Sequence, residues 1–115
     1  MLRIERLQEE LRHAVSSIVH QLRDSRIGFI TITRVSVTPD LKVATIYFTS
    51  LNSQADLKET LKGLDSAKGF VRRLVAEKVR MKFVPQIRFM YDDSQLKYYK
   101  ITEIIDRIHK EKEKA

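Results

Sequence analysis

Apolar residues recur at Ile4, Leu7, Leu11, Ala14, Val15, Ile18 and Leu22. This i, i+3, i+4, i+7 spacing marks one buried face and predicts a helix over 2–24. Charges of mixed sign (Arg3, Glu5, Arg6, Glu9, Glu10, Arg12) fill its other positions. Gly28 ends the periodicity. From Phe29 to Thr38 the chain turns β-branched, with Ile30, Thr31, Ile32, Thr33, Val35 and Val37, which is strand composition. From Lys42 to Leu51, Ala44, Ile46 and Phe48 alternate with Thr45, Tyr47 and Thr49. Thr38-Pro39-Asp40-Leu41 between the two runs is a turn signal, so they form an antiparallel hairpin.

Ser53 with Asp56 resembles a capping box, and Leu57, Leu61 and Leu64 give a second helical face that Gly63 weakens modestly. After Gly69 the apolar set resumes at Phe70, Val71, Leu74 and Val75. The pattern predicts helices over about 56–66 and 69–80 with a break between them. A continuous helix is also compatible, because one glycine costs only about 1 kcal/mol. Pro85 cannot donate to a ladder and suits the first residue of a strand. Ile87, Phe89 and Tyr91 then alternate with Arg88 and Met90 over 86–91. Asp92-Asp93-Ser94 can cap a last helix with apolar positions Leu96, Ile101, Ile104, Ile105 and Ile108. From His109 onward Lys and Glu alternate, which predicts a frayed charged tail over 109–115. The order α-β-β-α-(kink)-α-β-α reads as an α+β fold, with helices on one face of a three-stranded sheet.

At 115 residues and 13.5 kDa the chain fits a single domain, spanning 1–108, able to bury its own core. The absence of cysteine excludes disulfides and cysteine-ligated metals and suits a reducing cytoplasm. No apolar run reaches the roughly 18 residues of a membrane span, and the charged N-terminus does not read as a secretory signal.

Charge changes the picture more. The formal net charge is +7, and +6 of it falls between Lys68 and Arg88. Lys68, Arg72, Arg73, Lys78, Arg80, Lys82 and Arg88 face one acid, Glu77, in that stretch. On a helix, Phe70, Val71, Leu74, Val75 and Met81 share one side, while Lys68, Arg72, Arg73 and Arg80 lie roughly opposite as an outward stripe. Lys78 falls on the apolar side and would have to snorkel. Such a stripe can follow a phosphate backbone. Gly69 permits close backbone approach, and the amides of a helix starting after it would form a phosphate site.

Other constellations carry less. His13 and His20 lie too far apart for one metal. Asp92 and Asp93 fit a cap and turn better than acid–base work. No nucleophile sits beside a base, and no phosphate-binding glycine loop occurs. The chain therefore reads as a non-enzyme with no cofactor. Lys97-Tyr98-Tyr99-Lys100 interleaves aromatics with bases, so Tyr99 is a candidate for base stacking, and Tyr47 on the polar sheet face is a weaker one. The terminal helix could serve a protein partner; its balanced Lys and Glu argue against a membrane.

The hairpin from Thr31 to Ala44 resembles that of bacterial ribosome-binding factor A. So do Gly69-Phe70-Val71-Arg72-Arg73-Leu74-Val75 and Met81-Lys82-Phe83-Val84-Pro85-Gln86-Ile87-Arg88-Phe89 with the following Asp92-Asp93-Ser94. The likeness runs in order from about residue 3 to 108. It implies a KH-like domain of the type II arrangement, in which Ala67-Lys68-Gly69 takes the place of the usual G-x-x-G loop as a helix kink. It further implies a monomeric cytoplasmic assembly factor for the small (30S) ribosomal subunit and its 16S rRNA. The expected task is late maturation and 5′-end processing of that RNA, with a link to growth in the cold and an assembly GTPase as a further candidate partner. The expected rRNA surface comprises Lys68, Arg72, Arg73, Arg80, Lys82 and Arg88, with Ala67 and Gly69 as the kink. The alternatives are a generic single-stranded nucleic-acid-binding module and a protein-interaction domain.

Overall fold

The computed structural model describes residues 3–50, 54–94 and 102–110. Helix α1 (Arg3–Val19) packs on strand β1 (Ile30–Val37), which pairs antiparallel with β2 (Val43–Ser50). Helix α2 (Gln54–Lys78) returns along the sheet to β3 (Gln86–Tyr91), which lies parallel to β2. β2 is therefore the central strand of the order β1-β2-β3. A last helix, α3, covers 102–110, so helical backbone continues through His109 and Lys110. Ser53, Leu96, Ile101 and the tail beyond Lys110 lie outside the described residues.

The core lies between the helices and one sheet face. Leu11, Val15 and Ile18 from α1, Ile46 and Phe48 from β2, and Leu64, Val71 and Val75 from α2 are fully buried. The Phe48 ring meets Tyr91 edge-on at 5.9 Å, a favourable aromatic geometry. The opposite sheet face carries Thr45, Tyr47, Arg88 and Met90 and no helix covers it among the described residues.

Helix α1 ends five residues earlier than the periodicity predicts. Gln21 and Leu22 donate to the carbonyls of Ile18 and Val19, so the chain tightens into turns. Leu22 still packs on the core, which is why its spacing mimics a longer helix. In β1 the register slips between Ile32 and Arg34. This bulge lets Ile30 and Ile32 face inward, then Val35 and Val37, while Arg34 points outward. At the hairpin, Leu41 adopts a left-handed backbone (φ 61°). Its N–H donates to the Thr38 carbonyl at 2.8 Å, and its side chain packs on the core, offsetting the strain.

The two predicted helices at 56–66 and 69–80 are one hydrogen-bonded helix, running through Ala67 and Gly69 without a break. Gly69 keeps an ordinary helical backbone, since Gly28 alone among the described glycines has positive φ. Side-chain packing along α2 outweighs the glycine penalty. There is consequently no helix start at Gly69, and the phosphate site anticipated from free amides there is absent.

Candidate nucleic-acid interface

With α2 continuous, its outer surface is one ridge. Lys58, Lys62, Gly69, Arg73 and Ala76 are all exposed and recur at the spacing of a single helical face. The buried side holds Leu64, Val71 and Val75. That packing fixes the helix's rotation and turns the cations outward.

Each predicted cation has its own surroundings. Arg73 is exposed, with its guanidinium carbon 5.3 Å from the Phe70 ring centroid. Arg80 and Lys82 are exposed in the segment joining α2 to β3, with the Lys82 ammonium 5.7 Å from the Phe83 ring. Arg72 is exposed too, but its Nη2 donates to the Val84 carbonyl at 2.9 Å. It thus ties α2 to the segment that enters β3. Lys68 is half-buried and pairs with Asp65 at 2.5 Å. Among the described residues Arg72, Arg73, Arg80 and Lys82 form no ion pair. Lys78 reaches Ser17 on α1, Nζ to Oγ 3.1 Å, and so joins the two helices.

The structure does not bring Arg88 to this surface. Ile87 turns toward the core and Arg88 the other way, opposite Thr45 on the open sheet face. Tyr47 lies on that same face, half-buried, with the Arg34 guanidinium 3.8 Å from its ring centroid. Tyr99 lies outside the described residues.

Sequence reasoning missed Lys58, Lys62 and the exposure of two aromatic rings. Breaking the helix at Gly69 removed the spacing that places the two lysines in line with Arg73. Together with Leu61, Asp65, Lys68 and Phe89, these lysines border an open cleft of ≈ 340 Å³ between α2 and β3. Phe70, expected on the apolar side, is 41% exposed, and Phe83 is 77% exposed. Val71 and Leu74 fill the space against the sheet, and Phe70 sits one helical step away from it.

Asp92 builds structure. Its Oδ2 accepts from Thr33 Oγ1 at 2.6 Å, at the β1 bulge, and its Oδ1 accepts from the Ser94 amide at 3.0 Å and from the Ser94 hydroxyl. The Ser94 and Thr33 bonds hold its carboxyl down at about 2. It links the end of one edge strand to the other across β2. No group of three metal-ligating side chains occurs among the described residues. No helix among them is long and apolar enough to cross a membrane.

Comparison with known proteins bears on this arrangement. The family model for ribosome-binding factor A matches residues 3–105. Ribosome-binding factor A from Geotalea uraniireducens is 44% identical over 107 residues, 92% of this chain and 88% of the relative. That of Staphylococcus saprophyticus is 37% identical over 95% of this chain and 96% of its own. The solution structure of a Thermotoga maritima ribosome binding factor A superposes with a TM-score of 0.69 at 34% identity, covering 75% of this chain and 83% of that one. A homology model of the Thermus thermophilus factor, as fitted into the cryo-EM map of its 30S complex, superposes with a TM-score of 0.67 at 23% identity, covering 76% of this chain and 93% of that one. With a matched region that spans the whole sheet and both packed helices, the chain belongs to the ribosome-binding factor A family.

Proposed function

We propose that this protein binds the small ribosomal subunit through 16S rRNA, using the outer ridge of α2 and the segment that follows it. The observation that carries the reading is that Arg73, Arg80 and Lys82 project into solvent without a carboxylate partner among the described residues. Cations left unpaired on a rigid helix are available to phosphates, and their binding releases counterions. The fit of the Thermus thermophilus relative into a 30S complex supports the same partner.

The role that follows is structural. The ridge neutralises phosphates, and the α+β body holds an rRNA element in a maturing shape. No catalytic step is required. Late maturation, 5′-end processing of 16S rRNA, action as a cytoplasmic monomer, a link to cold growth and cooperation with an assembly GTPase belong to this proposal.

Cosedimentation tests it. The protein is expected to pellet with free small subunits and not with large ones. Replacing Arg73, Arg80 and Lys82 with Ala is expected to weaken that association at least tenfold with an unchanged melting temperature. Equal binding to both subunits, or a triple variant that binds as the parent does, contradicts the reading. Arg72 is left out because its bond to Val84 would confound folding with binding.

A further inference from the structure

Three phenylalanines are exposed: Phe29 at 82%, Phe83 at 77% and Phe70 at 41%. A single exposed apolar residue is ordinary on a soluble protein. Phe70 and Phe83 differ from Phe29 in two ways. Both lie within the basic stretch from Lys68 to Arg88, and each ring has a cation beside it, Arg73 at 5.3 Å and Lys82 at 5.7 Å. Phe29 precedes β1, whose first residue Ile30 pairs with Ser50 at the far end of β2. Phe83 precedes β3, whose first residue Gln86 pairs with Val43 at the opposite end. Phe70 falls in the C-terminal half of α2, which leads into that same end. Arg72 clamps the two segments together through the Val84 carbonyl.

We propose that Phe70 and Phe83 are stacking platforms for unpaired RNA nucleotides, with Arg73 and Lys82 holding the adjoining phosphates. The inference rests on the rRNA-binding reading and names the kind of RNA that the site takes. A continuous duplex hides its base faces, so an exposed ring beside a cation gains little from it. An unpaired base offers a π-face to the ring while its own phosphate meets the cation. The helix surface next to Phe70 is open, because a side chain on Gly69 would begin more than 4 Å from any described part of the protein other than its two chain neighbours and the adjoining helix backbone. A nucleotide can approach the ring there without displacing protein. The partner is therefore a loop, bulge or single-stranded junction of RNA, with stacking contributing beyond the phosphate contacts.

The test uses the full chain with two probes, a 12-nucleotide oligouridylate and a blunt RNA duplex of equal length. The parent is expected to prefer the single strand. Phe70→Ala and Phe83→Ala are each expected to reduce affinity for oligouridylate about tenfold, with duplex affinity and the salt slope unchanged. Phe83→Trp is expected to restore binding, with indole fluorescence quenched by the oligonucleotide. Phe29→Ala is expected to bind as the parent does. Thermal melting checks that each variant folds. Loss of both probes alike, or of neither, overturns the stacking proposal, as does a parent without preference for the single strand. Variants that keep RNA affinity but lose small subunits assign the rings to a ribosomal protein, and this also overturns it. Failure of the Arg73, Arg80 and Lys82 triple variant to weaken subunit binding is a separate result, and it removes the underlying rRNA reading.

Discussion

Asp92 shows how one side chain fixes the sheet. Bonds from Ser94 and Thr33 lower its pKa from 3.8 to about 2. Because the folded value lies below the unfolded one, the stabilisation is complete above about pH 4 and fades as pH falls toward 2. Asp92→Asn is expected to cost about 1–2 kcal/mol at pH 7 and progressively less as pH falls from about 4 through 2, which urea midpoints across that range would measure. The sequence suggested a cap and turn role for Asp92, and the Ser94 bonds agree with it. The reach to Thr33 was not legible, because it spans 59 residues and depends on a bulge. A trace of the bulge was present: the inward β1 positions step from Ile32 to Val35, a slip of one in a period of two. Arg72 is a second case. Composition counted it with the other cations, yet its bond to Val84 predicts that Arg72→Ala lowers stability as well as binding, whereas Arg73→Ala lowers binding alone.

At the scale of elements, α2 holds two glycines with opposite roles. A Cβ on Gly63 would lie 2.9 Å from Ile27 Cγ1 and 3.3 Å from Arg26 Cβ. The segment from Asp24 to Ile27 crosses α2 there, braced by an Arg26–Asp24 ion pair at 2.6 Å. Gly63→Ala is therefore expected to destabilise the fold by about 1–3 kcal/mol. Gly69 has open space around it and an ordinary helical φ. Gly69→Ala is expected to raise stability by about 0.5–1 kcal/mol, with any loss appearing in RNA binding. Chemical denaturation of the two variants separates the cases. The hairpin and β3 were legible because alternation and turn residues agree locally. The continuity of α2 was left open, because a glycine penalty of about 1 kcal/mol does not decide it, whereas core contacts from Leu64, Val71 and Val75 that no local pattern displays do.

For the whole molecule, the layer of helices on one sheet face was legible in the element sequence, whereas the strand order β1-β2-β3, with β3 parallel to β2, emerges only from the crossover through α2. Arg88 illustrates the limit of counting charge along a chain: it belongs to the same basic stretch, but the sheet stands between it and the ridge. Ile104, Ile105 and Ile108 on α3 are 47–56% exposed, so these three positions of the predicted apolar face are not buried. The central claim is that phosphates meet the α2 ridge and the segment after it, and salt reads this directly. The affinity of the parent for free small subunits, titrated with potassium chloride, is expected to fall steeply on a log–log plot. Substituting Ala at Arg73, Arg80 and Lys82 is expected to flatten that slope by about 2–3, at ~0.7–0.9 per lost phosphate contact. A shallow parent slope, or an unchanged slope in the triple variant, would contradict the account.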